Sequence, residues 1–270
     1  MIPVFDVISF LPTNLSGSTK PLVVTAKSCK GDYRHFVIKI FSQEDSYDSF
    51  SYTIREFYSA FNSKHFEIKT PFYALLKISD TVLASTDPVI KSRIEASNRK
   101  CFFGVEFIEP TLDYSPSMGF GDLKEYDIEN IFGFDVLIRN VDRRIDRPNL
   151  FFSDKKIYVI DHDSSLLIGK KTFDEYMDNP KLYPSFITGE GGNREHIFYS
   201  YIKRNRNKLT FDEFEENLRT FPIASLKQMS EQLDSFGFNV EDFDYIYHYF
   251  EGAKNKPTKF KEFLNLLIGN

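Results

Sequence analysis

The sequence predicts an α+β fold, with strands gathered ahead of a turn-rich stretch and helices dominating the C-terminal part. Three observations predict it. The β-rich runs Leu22–Ala26, Phe36–Ile40, Phe72–Ile78 and Cys101–Ile108 all precede the loop Asp113–Asp122, which is rich in Ser, Pro and Gly. Beyond Thr210 the apolar residues recur at helical spacing. Between these regions lies one short hairpin, Leu150–Phe152 and Ile157–Ile160 around Ser153-Asp154-Lys155-Lys156, with polar residues at its open end. The expected organisation is an N-terminal antiparallel sheet lobe with one helix over residues 1–108 and a mainly helical lobe over residues 109–270.

Taken in order, the stretch Met1–Pro12 reads as a strand, since Asp6 interrupts it and no basic leader precedes it. The turn Asn14–Pro21 follows, and its Ser16-Gly17-Ser18-Thr19 segment can offer N–H groups and hydroxyls to a phosphate or serve as an ordinary hairpin loop. Ser28–Asp32 turns the chain between the next two strands. Lys39 lies in the apolar run VIKI, and two readings stay open: an edge lysine snorkelling to water, or a lysine aimed at phosphates and held by a carboxylate. Glu56 is the available carboxylate, because Ile54, Phe57, Tyr58 and Phe61 place Tyr52–Asn62 in a helix. Asp87–Lys100 reads as a polar helix with Pro88 at its start.

Past the boundary, Ile128–Ile138 reads as a helix with Ile131, Phe132, Asp135 and Ile138 along one side. Asp178-Asn-Pro180 marks a turn, and Thr188–Asn193 reads as a mobile loop. Thr210 and Glu213 have capping-box spacing ahead of Phe214, Leu218 and Phe221. Leu226, Met229, Leu233 and Phe236 form a helical stripe ending at Gly237, and helices over 240–250 and 259–268 complete the chain.

Composition excludes several classes. With 270 residues, 41% of them hydrophobic, the chain can bury a sizeable core. A net charge of -5 argues against a general nucleic-acid or anionic-membrane surface, and Lys203–Lys208 reads as a solvated helix end. Cys29 and Cys101 are the only cysteines, which suits a reducing cytoplasm and gives neither a disulfide framework nor a zinc site. No apolar run is long enough to cross a bilayer.

The stretch Phe134–Asp163 concentrates the chemistry. A turn at Asp154 and Lys155 sets Asn149 almost opposite Asp161, and Asp142 can fold back over the same end. Such convergent oxygens suit a hard divalent cation and a phosphate. Arg139, Arg143, Arg144 and Arg147 crowd the segment, able to meet a phosphate or an acidic substrate, with at least one pairing structurally to a nearby acid. The plain alternatives are that Asp142 caps a turn and pairs with an arginine, while Asn149 and Asp161 end strands.

Asn140-Val-Asp142-Arg143, then Asn149-Leu150, then Ile160-Asp161-His162, resembles the signature of the HipA-like kinase family in its compact single-domain branch. Ser16-Gly17-x-Thr19-x-Pro21, Lys39 at the end of VIK and Phe103-Gly104 extend the resemblance. The chain departs from eukaryotic protein kinases, with no His-Arg-Asp, no Asp-Phe-Gly and no glycine-rich GxGxxG loop. The resemblance implies a bilobal protein-kinase-like fold and an ATP- and Mg2+-dependent serine/threonine kinase. It also implies Asp142 as catalytic aspartate, Asn149 and Asp161 as Mg2+ ligands, Lys39 with Glu56 at the nucleotide phosphates, Gly17, Ser18 and Thr19 over them, and Val105, Glu106 and Phe107 along the adenine. A small-molecule or lipid kinase and an inactive nucleotide-binding module are the rival readings. The family's toxin kinases make an antitoxin-type protein partner conceivable, and the phosphate acceptor is unassigned.

Overall fold

The computed structural model describes residues 1–12, 15, 19–41, 52–110, 112–115, 118, 123, 126–179, 182, 187–189 and 195–269. Gly17, Ser18, Gly119, Gly121, Pro180 and residues 190–193 of the expected loop lie outside the described residues. The chain divides into two compact units: Met1–Phe57, Pro71–Glu109 and Gln228–Val240 form the first, and Tyr58–Thr70, Pro110–Lys227 and Glu241–Asn270 the second.

In the first unit five strands close into a barrel: β1 (Val4–Leu11), β2 (Leu22–Ser28), β3 (Tyr33–Ile38), β4 (Tyr73–Lys77) and β5 (Cys101–Glu106), in the order β1-β2-β3-β5-β4. The expected antiparallel pairing holds everywhere except the closure, where β1 runs parallel to β4 with Val4 beside Leu75. Closure removes the exposed edges that an open sheet would present. Alternate side chains point inward, so Phe5, Val7, Val24, Ala26, Phe36, Ile38, Ala74 and Leu76 fill the barrel. Gly104 leaves room for Leu76, whose Cδ1 would stand 2.3 Å from a Cβ placed there.

Helix α1 (Tyr52–Ser63) confirms the periodicity reading, and its Phe57 packs edge-on to Phe103 at 4.6 Å. The one polar helix expected near residues 87–100 is preceded by another: α2 (Asp80–Ala84) is capped by Ser79 and α3 (Pro88–Ala96) by Asp87. Arg93 of α3 donates to the carbonyls of Thr19 and Lys20, both at 3.0 Å, and so anchors the end of the turn that holds Thr19.

The second unit carries β6 (Leu112–Asp113), β7 (Leu150–Ser153) and β8 (Lys156–Val159) in a three-stranded sheet. Its helices are α4 (Ile128–Leu137), α5 (Phe173–Met177), α6 (Tyr199–Asn205), α7 (Asp212–Arg219), α9 (Phe243–Asn255) and α10 (Pro257–Ile268). Helix α8 (Ile223–Ser235) has residues in both units. It ends as Gly237 predicts, with a φ of 78° and bonds from Gly237 N to Asp234 O and from Phe238 N to Leu233 O.

Helix α4 is buried on all sides rather than along one stripe, which makes it the central helix of this unit. The capping box expected at Thr210 and Glu213 does not form. Glu213 instead accepts from the buried Asn130 amide at 3.1 Å, and the Glu129 carboxylate takes the Phe211 N–H. A buried amide without a partner costs more than an exposed helix end, so the tertiary bond wins. A capping box does close at Thr172 and Glu175, at the start of α5. Among the described residues no helix is long and apolar enough to cross a membrane.

Candidate active site

The hairpin determines where the polar residues of the second unit meet. Asp154 and Lys155 both adopt left-handed backbone, with φ of 49° and 58°, as a two-residue turn matched to strand twist requires. Leu150 then pairs with Val159, and Ile160 N donates to Asn149 O at 2.9 Å. Asn149 and Asp161, at φ 48° and 58°, leave the two strand ends in left-handed conformations that short polar side chains tolerate.

Asp142 joins them as expected. The Asn149 side-chain amide donates to the Asp142 carbonyl at 3.1 Å and to its carboxylate at 3.4 Å, which among the described residues leaves its side-chain oxygen Oδ1 as a free acceptor. Asp142 N donates to Asn140 Oδ1 at 3.1 Å. Arg144 and Arg147 stand 3.5 and 3.6 Å from the two Asp142 carboxylate oxygens. Carboxylate oxygens of Asp161 and Asp163 lie within 4.8 Å of one another.

Beneath this loop is a buried ionic frame. Arg143 donates to the Asp135 carboxylate through Nε at 2.5 Å and Nη2 at 3.2 Å, and to the Asn149 carbonyl through Nη1 at 2.5 Å. Asn140 Nδ2 adds a bond to Asp135 at 2.8 Å. Burial alone would push the Asp135 carboxyl up, but the Arg143 charge and the His196 bond outweigh it and hold it well below the usual carboxylate range. The His196 ring accepts from Phe198 N through Nδ1 at 3.2 Å, so Nε2 carries the proton given to Asp135 at 3.1 Å. Arg143 Nη2 also donates to His162 Nε2 at 3.1 Å, which puts the His162 proton on Nδ1.

In the first unit Lys39 lies just past the end of β3 rather than inside the strand, and it pairs with Glu56. Their Nζ–Oε1 distance is 2.8 Å, with side chains 19% and 5% exposed. The pairing of Lys39 with a carboxylate, one part of the second reading, is found. Val105 sits in β5 opposite Val37 and Tyr73. The N–H groups of Glu106 and Phe107 are donated to Phe72 O and His35 O, and the Glu106 carboxylate accepts from Arg34 at 2.7 Å.

Residues 10–226 match the family model for HipA-like kinases. The chain belongs to the HipA-like kinase family. A crystal structure of the Helicobacter pylori proinflammatory kinase CtkA is similar to this HipA-like kinase across 99% of both chains, with a TM-score of 0.53 and 12% identity, a likeness of fold. None of the curated proteins compared matches it.

Four residues around the candidate site escaped sequence reasoning: Asp135, Asn140 as its partner, Asp163 and His196. Asp135 had a signal, since a carboxylate set between Phe134 and Val136 on a buried helix demands a cation. His196 had none, because its partner Asp135 lies far away in sequence.

Proposed function

We propose that this HipA-like kinase transfers the γ-phosphate of ATP, with Mg2+, to a serine or threonine hydroxyl of a protein. The observation that carries the reading is the junction of Asp142 with Asn149, a carboxylate locked beside an amide whose oxygen is left to bind something else. In this reading residues 1–108 hold the nucleotide and residues 109–270 perform the transfer.

Asp142 accepts a hydrogen bond from the acceptor hydroxyl, orients it, and takes its proton as the new O–P bond forms. The Asn149 amide oxygen and the Asp161 carboxylate hold Mg2+, both being hard oxygen donors, and Asp163 stands close enough to Asp161 to assist. Bound Mg2+ supplies neutralisation of the charge spread over the phosphoryl oxygens. Lys39, its Nζ fixed by Glu56, contacts the nucleotide phosphates, and Gly17, Ser18 and Thr19 cover them. Adenine lies along Val105, Glu106 and Phe107. With the N–H groups of Glu106 and Phe107 already used, base recognition falls to carbonyls there and to N–H groups beyond Phe107.

The test is transfer from labelled ATP, read in protein, metabolite and lipid fractions, alongside thermal stabilisation by ATP and Mg2+. Asp142→Ala is expected to keep the stabilisation and lose transfer by roughly 10²–10⁴-fold. Full transfer in that variant overturns the assignment. Label in metabolites or lipids alone identifies a different kinase class, and stabilisation without any product identifies a binding module.

A further inference from the structure

The four arginines of the Asp142 segment have different fates. Arg139 stacks on the Tyr176 ring at 4.0 Å. Arg143 has no exposed side-chain surface and spends its donors on Asp135, Asn149 and His162. Arg144 is divided between Asp142 and Asp146, at 3.5 and 3.0 Å. Arg147 differs from all three: its side chain is 59% exposed, and its one carboxylate neighbour among the described residues, Asp142, stands at 3.6 Å, an ion pair without a hydrogen bond.

The backbone beneath Arg147 is nevertheless well held. Arg144 N donates to Arg147 O at 2.9 Å and Arg147 N returns a bond to Arg144 O at 3.1 Å, closing a tight turn with Ile145 and Asp146 at its tip. Pro148 follows and restricts Arg147 to extended conformations. The turn therefore presents beside Asp142 a guanidinium with unspent donors, next to an Ile145 that is 51% exposed. A guanidinium fork matches a carboxylate or phosphate, and an apolar neighbour suits a polypeptide.

We propose that Arg147 is a specificity-determining residue that reads a negative charge, a carboxylate or a phosphorylated side chain, next to the acceptor hydroxyl of an acidic polypeptide segment. This rests on the protein-kinase reading above. The test uses serine and threonine peptide libraries, scanned position by position with labelled ATP and Mg2+, on wild type, Arg147→Ala, Arg147→Lys and Arg147→Glu. Wild type is expected to favour Asp, Glu or phosphoserine beside the hydroxyl. Arg147→Ala should raise KM for acidic peptides roughly three- to tenfold with kcat little changed. Arg147→Lys should restore part of the preference, and Arg147→Glu should turn it toward basic peptides. An unchanged acidic preference in Arg147→Ala, or a basic preference in wild type, overturns the proposal. So does a wild type that labels no peptide. In that last case thermal stabilisation by ATP and Mg2+ shows nucleotide binding to stand, and its absence shows the kinase reading itself to fail.

Discussion

Two ionic networks in the second unit use the same chemistry in opposite surroundings. Around Asp135 the charges are sealed from water, with Arg143 and Asn140 supplied by the loop after α4 and His196 by the segment ahead of α6. On the surface of α10, Lys259 and the N-cap residue Lys256 meet Asp174, Lys259 also reaches Asp178 at 2.7 Å, and Lys261 meets Asp212 and Glu215. These exposed pairs also shift titrations. The lysine donors hold the Asp174 carboxyl below its ordinary value, and Asp174 and Asp178 raise the Lys259 ammonium. Yet exposed pairs are weak in water, whereas a buried pair is costly to break, because the survivor is left as an unpaired buried charge. The buried frame therefore carries the geometry of the Asp142 loop, and the surface clamp only ties helices together.

Asp135→Ala is the sharpest way to break this contrast. It strands Arg143 in the interior and is expected to cost about 3–5 kcal/mol in denaturant unfolding. Replacing the pair together, Asp135→Leu with Arg143→Met, should cost less than the two single changes summed. Recovery of stability in that double variant without recovery of the proposed phosphate transfer would separate fold from loop geometry, since the bond from Arg143 to the Asn149 carbonyl stays lost.

His196→Ala comes next. It removes one donor to Asp135 and leaves Phe198 N–H unpaired, an expected loss of about 1–3 kcal/mol by the same measurement. A loss below that of a surface substitution would show the frame to be less coupled than its distances imply.

Lys259→Ala tests the other side of the comparison. A change of about 0–1 kcal/mol is expected, shrinking further as salt is added. A loss matching that of Asp135→Ala would abolish the distinction between the buried and exposed networks.

The pH response separates the networks with the smallest effect. Asp135, depressed in the folded protein, contributes fully above its unfolded pKa of about 3.9 and loses that contribution as pH falls through its lower folded value. Lys259 and Lys261, raised in the folded protein, contribute fully below about 10.4 and lose it as pH rises through their folded values. An alkaline unfolding series should therefore weaken the clamp while leaving the frame intact, because arginine stays charged. Loss of the alkaline component in a Lys259→Ala, Lys261→Ala double variant is the checking result.

Legibility followed the range of the interactions. The register of β7 and β8 could be read because both turn residues lie between the strands they join. Helix α1 could be read because its apolar positions repeat over three turns. Helices α2 and α5, of five residues each, are too short for periodicity to register. The parallel closure of β1 on β4 joins segments separated by two strands and a helix, so no local pattern signals it. Glu213 sat at capping-box spacing, but a buried amide from another helix claimed it.

The Phe134–Asp163 stretch shows the same division within the site. Its sequence alone marked Asp142, Asn149 and Asp161 as candidates that meet at one end of the hairpin, because their types, spacing and turn are local. Sequence could also say that four arginines crowd there, and that one would pair with an acid. Which arginine is buried beneath Asn149 and which stands in solvent beside Asp142 was decided by packing. The energy of a guanidinium depends on the water, carboxylates and carbonyls around it, and residues as distant as Asp135 and His196 supply those surroundings.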